Sequence, residues 1–222
     1  MDNNIFGAVN ETERYLGQIA ERLNSGNASV MVGAGFSKNA KKNNPSQKDF
    51  PGWDELGDIF LKIVKCQESG NDQRYSNVPD LADQVQALTD RQKLYRLLND
   101  SIPDNDYKPS ELHVDLLELP WADIFTTNYD TLLERTNTNI GNRKYSLVNK
   151  EEELLHRKKP SIIKLHGSLP FGPFTITTED YRKYPIDHCR VLQYKVYCEY
   201  VYYNTTKWAN SRNSQDFSEQ LD

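Results

Sequence analysis

Cysteine is scarce in this 222-residue chain; Cys66, Cys189 and Cys198 are the full set. An odd count at such wide spacing builds neither a disulfide framework nor a four-cysteine zinc site. Reduced thiols in a cytoplasmic protein are the expectation. Long apolar runs are also missing: nothing approaches the roughly 18 residues that a membrane helix needs. The opening MDNNIFGAVNETERYLGQIAERL lacks the basic-then-apolar order of a secretion signal. Concentrated positive charge is absent too. Lys and Arg number 27 against 32 Asp and Glu, a net charge of −5. The one basic run, His156-Arg157-Lys158-Lys159, reads as the solvated end of a helix. A nucleic-acid surface would need a basic patch to neutralise phosphates. Neither nucleic acid nor membrane is therefore an expected partner.

What is present fits one domain, or one domain with an insertion. Residues 9–23 place Leu16, Ile19, Ala20 and Leu23 at helical spacing, and Gly26 offers a left-handed cap. ASVMVGAGFS (28–37) reads as a buried strand breaking into a tight turn. The polar stretch 38–52, with Pro45 and Pro51, reads as a loop. Helical spacing returns over 53–66 and again over 80–100, with a break near Thr89-Asp90. Residues 110–119 read as a helix capped by Ser110 and closed before Pro120. ADIFTTNYDTLLE then gives strand, turn and helix. KYSLVN (144–149) and PSIIKLHGSL (160–169) are further strand-like runs. FTITTEDYRKY (174–184) alternates like a strand before turning helical near Thr178. Short apolar strands alternating with helices predict an α/β fold, a three-layer, Rossmann-like parallel sheet with a helical insertion at about 38–119.

In parallel α/β sheets, ligands sit outside the carboxyl ends of the strands. Three strand ends carry signatures: Gly33-Ala34-Gly35-Phe36-Ser37, Thr127-Asn128-Tyr129-Asp130 and His166-Gly167-Ser168. A Gly-x-Gly turn lets backbone N–H groups approach a pyrophosphate, or is simply a turn. The dehydrogenase fingerprint is excluded: Lys38 stands where a third glycine belongs, and Asp54 has the spacing of a ribose anchor but opens a helix. Asn128 and Asp130 make an Asx turn with a helix cap, or a site for a sugar hydroxyl and a water. An amide donates and accepts but does not serve as general base. His166 accepts a proton near neutral pH, or is structural; Gly167 lets the chain turn so that the ring faces the crevice. His113, His156 and His188 lack that setting and read as ordinary surface or helix residues.

Taken in order, GAGFS, TTNYD and KLHGS resemble the sirtuin motifs, in the version found in bacterial sirtuin-like domains of anti-phage defence proteins such as Thoeris effectors and defence-associated sirtuins. FPGWDEL (50–56) and TTEDYRKYP (177–185) look like the same subgroup, and the resemblance covers about residues 25–188. It implies a Rossmann-like NAD+ site. Gly33, Ala34, Gly35 and Ser37 would line the dinucleotide turn, and Phe36 would flank the ribose or nicotinamide. Asn128 would hold the nicotinamide ribose and the attacking water. Asp130 would meet the carboxamide. His166 would contact the ribose hydroxyls and act as base. Thr127 stands where deacylase sirtuins carry Gln, and joins the cofactor-binding set.

That Thr and the missing zinc cysteines move the expectation from protein deacylation to hydrolysis of NAD+, with NAD+ as substrate and no zinc. The tail departs as well: residues 189–222 contain no Gly or Pro and five of the 13 tyrosines. The expected organisation is a sirtuin-like NAD-binding domain over 1–188 and a divergent or truncated tail over 189–222. A truncated tail would leave the sheet without its last strands. The resemblance also implies a homo-oligomer and a phage-protein trigger. A non-catalytic NAD+ or ADP-ribose-binding module, an inactive remnant and an NAD-dependent deacylase are the alternatives.

Overall fold

The β-branched runs SVMV, DIFT and SIIK each form a strand that is buried on both faces. In the computed structural model, which describes residues 4–67, 77–141, 143–187 and 200–202, these are β1 (Ser29–Val32), β4 (Asp123–Thr126) and β6 (Ser161–Lys164). With β5 (Ser146–Val148) and β7 (Tyr200–Tyr202) they build one sheet, in the order β5-β6-β4-β1-β7. Every pairing in it is parallel.

Register sorts the side chains by face, because alternate residues of a strand point opposite ways. Val30, Ile124 and Ile162 stand abreast and belong to one apolar cluster with Leu116, Leu117, Trp121 and Leu133. Met31, Phe125 and Ile163 stand abreast on the other face, with Val148, Leu154 and Leu165. Both faces are covered, as near-continuous apolar parallel strands require. Ile124, Ile162 and Phe125 are fully buried. Each such side chain contributes about 1.5–3 kcal/mol by leaving water.

The helices are α1 (Asn4–Asn24), α2 (Ala34–Ser37), α3 (Trp53–Gln67), α4 (Val78–Leu88), α5 (Arg91–Ser101), α6 (Glu111–Glu118), α7 (Leu132–Asn139) and α8 (Thr178–Asp187). The insertion expected between the first two sheet strands is there. Its helices α3, α4 and α5 pack around Phe60, Val85, Leu94 and Leu98, in a core they share with Tyr129, Leu169, Phe174 and Ile176 from the loops after β4 and β6. The break near Thr89-Asp90 is real: Asp90 accepts the N–H of Lys93 at 2.7 Å and caps α5. Gly26, at φ +68, takes the left-handed cap after α1.

Three expectations need correction. The loop over 38–52 contains β2 (Lys41–Lys42), paired antiparallel with β3 (Tyr107–Lys108). The run 174–176 is buried but is not a strand, because side chains take its backbone groups. Tyr95 accepts the N–H of Phe174, Tyr129 donates to the carbonyl of Thr175, and Asp180 accepts the N–H groups of Ile176 and Thr177. The basic run is not wholly solvated: Arg157, its side chain 9% exposed, pairs with fully buried Asp123 at 3.4 Å. Strand β7 comes from the segment expected to be divergent or truncated. Residues 189–199 and 203–222 of that segment lie outside the described residues, and with them Cys189 and Cys198; so does His188 before it.

Candidate active site

The carboxyl ends of β1, β4 and β6 lie side by side, so the loops that follow them meet. A cavity of about 260 Å3 opens there, lined in part by Ala34, Ser37, Thr127, Asn128, Asp130 and His166. The structure thus brings together residues 34, 128 and 166, which are far apart in sequence.

Asn128 is held from two sides. Its Nδ2 donates to the carbonyl of Gly33 at 2.9 Å and to Ser37 Oγ at 2.8 Å. A carbonyl only accepts, so chemistry fixes which end of the amide faces Gly33. Both amide protons are spent, and Oδ1 is left buried without a hydrogen-bond partner. A buried unpaired acceptor costs roughly 1–3 kcal/mol, a penalty that a donating ligand removes. Ser37 in turn donates to Asp130 Oδ2 at 2.6 Å. Asp130 Oδ1 accepts the N–H of Leu132 at 3.2 Å, so Asp130 does tie down the start of α7. Both oxygens of this carboxylate are committed inside the protein.

Gly33 shapes the turn differently. A Cβ built on it would meet nothing within 4 Å, so its face is open to a ligand. Phe36 is not brought to the cavity. It is 7% exposed and packs under the turn on the ring of His113, centroids 4.7 Å apart. Gly35 is half-buried beside it, and neither Gly33 nor Gly35 is among the residues lining the cavity.

His166 is half-buried at the end of β6. The rings of Tyr181 and Tyr184 stand edge-on to it at 5.4 and 5.8 Å, and Tyr129 lies at 6.4 Å. The next residue must be glycine. Gly167 sits at φ +91, and a Cβ there would fall 2.0 Å from the carbonyl oxygen of Pro173. The cavity's tyrosines are not bases. Burial pushes Tyr181 up to about 12, with the charge of Asp180 adding to it, and burial raises Tyr129 well above the ordinary tyrosine value. Tyr129 donates to the carbonyl of Thr175 at 2.7 Å.

The other wall comes from the insertion. Phe50, Pro51, Gly52, Trp53 and Leu56 line it, with Ile102 from the end of α5. Sequence reasoning gave these residues no role, nor Tyr129 and Tyr181. The signal was there in FPGWDEL and TTEDYRKYP, but helical or strand spacing does not say which face of an element meets a distant loop. His113, read as an ordinary surface or helix residue, is a fully buried cap of α6. Its Nδ1 accepts the N–H of Ser110 at 3.2 Å, and burial pushes its pKa down to about 4.

Part of the chain is similar to known proteins. Residues 122–202, which carry both the Asn128 and the His166 turns, match the family model of the SIR2-like domain. The NAD(+) hydrolase ThsA of Cytobacillus dafuensis is 26% identical over 172 residues, 77% of this chain and 32% of that protein. The chain spans about a third of the length of that curated relative. Residues 122–202 are thus similar to a SIR2-like domain, in a chain whose Rossmann-like parallel sheet gathers the motif residues at its strand ends.

Proposed function

We propose that this chain is an NAD+ glycohydrolase that releases nicotinamide and ADP-ribose. The observation that carries the reading is Asn128. Its amide is oriented by Gly33 and Ser37 so that a buried, unpartnered acceptor remains at the cavity. A ribose hydroxyl or a water is the donor it lacks. The bond to nicotinamide is already activated by the ring's positive charge. The enzyme's task is to stabilise an oxocarbenium-like sugar and to place a water. Asn128 positions that water. His166 takes its proton as it attacks, since the cavity's tyrosines are poor bases and Asp130 is committed to Ser37 and Leu132.

The cavity volume of about 260 Å3 falls below the roughly 300–1,000 Å3 of whole-ligand pockets. It suits the nicotinamide riboside half, with the pyrophosphate crossing the open face of Gly33 near the end of β1. Ala34, Gly35, Ser37 and Thr127 are the remaining backbone and side-chain neighbours of the dinucleotide, and Phe36 supports the turn from below. The relative's activity, NAD(+) hydrolase, supports the same reading. The resemblance of GAGFS, TTNYD and KLHGS to the motifs of sirtuin-like defence proteins supports a role in anti-phage defence, triggered by oligomerisation or a phage protein.

Nicotinamide release from NAD+ is the test, measured alone and with assembled oligomer. Release that is lost in Asn128→Ala and in His166→Ala is the expected result. Undiminished release in either variant would sink the assignment. Calorimetric binding of NAD+ without turnover would instead identify a sensor module.

A further inference from the structure

Directly behind the site lies a buried charge pair that the site does not use. Lys164 closes β6 two residues before His166, and its side chain is 1% exposed. Its ammonium pairs with Glu134 of α7 at 3.0 Å and also donates to the carbonyl of Asp130. Ser168, two residues past His166, donates to the same Glu134 oxygen at 2.9 Å. The second oxygen of Glu134 is buried without a hydrogen-bond partner. One ion pair therefore grips both working turns: the Asn128 turn at Asp130 and the His166 turn at Ser168.

Two backbone bonds run alongside. Leu165 donates to Thr126 and Leu169 donates to Tyr129, each at 2.8 Å. They register the two turns at their ends, and the charge pair locks them in between. Stability is a poor reason for such a pair, since desolvation offsets the attraction and matched apolar residues often serve as well. Apolar contact is non-directional, however. It would fill the space without fixing where Asp130 and Ser168 stand. Hydrogen bonds to charged groups are directional and short.

We infer that the Lys164–Glu134 pair is a positioning device that sets the amide of Asn128 against the imidazole of His166. It rests on the proposed hydrolysis for its kinetic consequence, but not for its geometric one. Lys164 and Glu134 touch no substrate. They act through Asp130 and Ser168.

The test compares Lys164→Met with the double variant Lys164→Met/Glu134→Leu. The single variant strands a buried carboxylate and loses thermal stability. The double variant regains that stability but not the turnover: kcat stays about tenfold or more below wild type, with KM within about threefold. In the same samples, without NAD+, the ring resonances of His166 move while those of His113 stay. The aromatic rings at 5.4 and 5.8 Å make His166 a sensitive reporter of its own placement. Should the double variant fail to fold, Ser168→Ala removes one tie without stranding a charge, and the same His166 shift with lowered kcat is expected. Wild-type kcat and unmoved His166 resonances in the folded variant would overturn the inference. So would kcat losses that merely track thermal stability across the single and double variants. A wild-type chain that releases no nicotinamide counts against the hydrolysis reading alone, and the His166 resonances then decide the positioning role.

Discussion

Replacing Ser37 by alanine is the sharpest probe of how the site is held. The hydroxyl accepts from Asn128 Nδ2 at 2.8 Å and donates to Asp130 Oδ2 at 2.6 Å. Ser37 is 4% exposed and Asp130 6%, so water does not take its place at either partner. Removing it strands one amide proton and one carboxylate oxygen. A hydrogen bond to a charged group contributes about 1.5–3 kcal/mol, and a neutral one about 0.5–1.5 kcal/mol. The variant should lose about 3 kcal/mol, which for a chain of this length is about 6–12 °C of melting temperature. The kinetic effect is separate. Asn128 keeps its bond to Gly33, so the amide stays in place but is free to tilt. A loss of about 1–2 kcal/mol from the transition state would lower kcat by about 5- to 30-fold. The assays are thermal denaturation and nicotinamide release under saturating NAD+. Wild-type melting together with wild-type kcat would refute the chain of bonds from Asn128 through Ser37 to Asp130. A raised KM at unchanged kcat would show that the Ser37 hydroxyl bonds the dinucleotide instead of steadying the amide.

Gly33→Ala should fold as the wild type does, because an added Cβ meets no neighbour and φ −110 admits alanine. The methyl would stand where the pyrophosphate crosses, so KM for NAD+ should rise about tenfold, and an unchanged KM would move the dinucleotide off this turn. His113 makes a pH prediction. Its folded pKa, about 4, lies below the ordinary 6.5. The unfolded chain therefore binds more protons between those values, so the stability is present above pH 6.5 and is lost as pH falls towards 4. The shift corresponds to about 3 kcal/mol. Melting curves from pH 7.5 to 4.5 should steepen for the wild type relative to His113→Gln, and parallel curves would contradict a neutral buried ring.

The sequence by itself determined the strand cores, the helical insertion and the order of the three polar turns. Those are local properties: β-branched runs such as SIIK, helical spacing through Leu56, Ile59 and Phe60, and glycines placed where the chain must turn sharply. It also offered Asn128 and His166 as candidates, because residues after strand ends in a parallel sheet face one crevice, and the resemblance to the sirtuin motifs singled them out. What it did not determine was which partners those side chains would find. Whether Phe36 met ligand or core depended on His113 arriving beneath it from α6. Whether 174–176 paired as a strand depended on Tyr95, Tyr129 and Asp180 reaching its backbone first. The second wall of the cavity, from Phe50 to Leu56, exists because Phe50 packs with Tyr107 and Leu132, and Leu56 shares a core with Tyr129 at the strand ends. The Lys164–Glu134 pair looks in sequence like two ordinary surface charges, and only the stacking of α7 over β6 buries it. Spacing along the chain fixes which way a residue points from its own element, and the packing of elements distant in sequence decides what stands there to meet it.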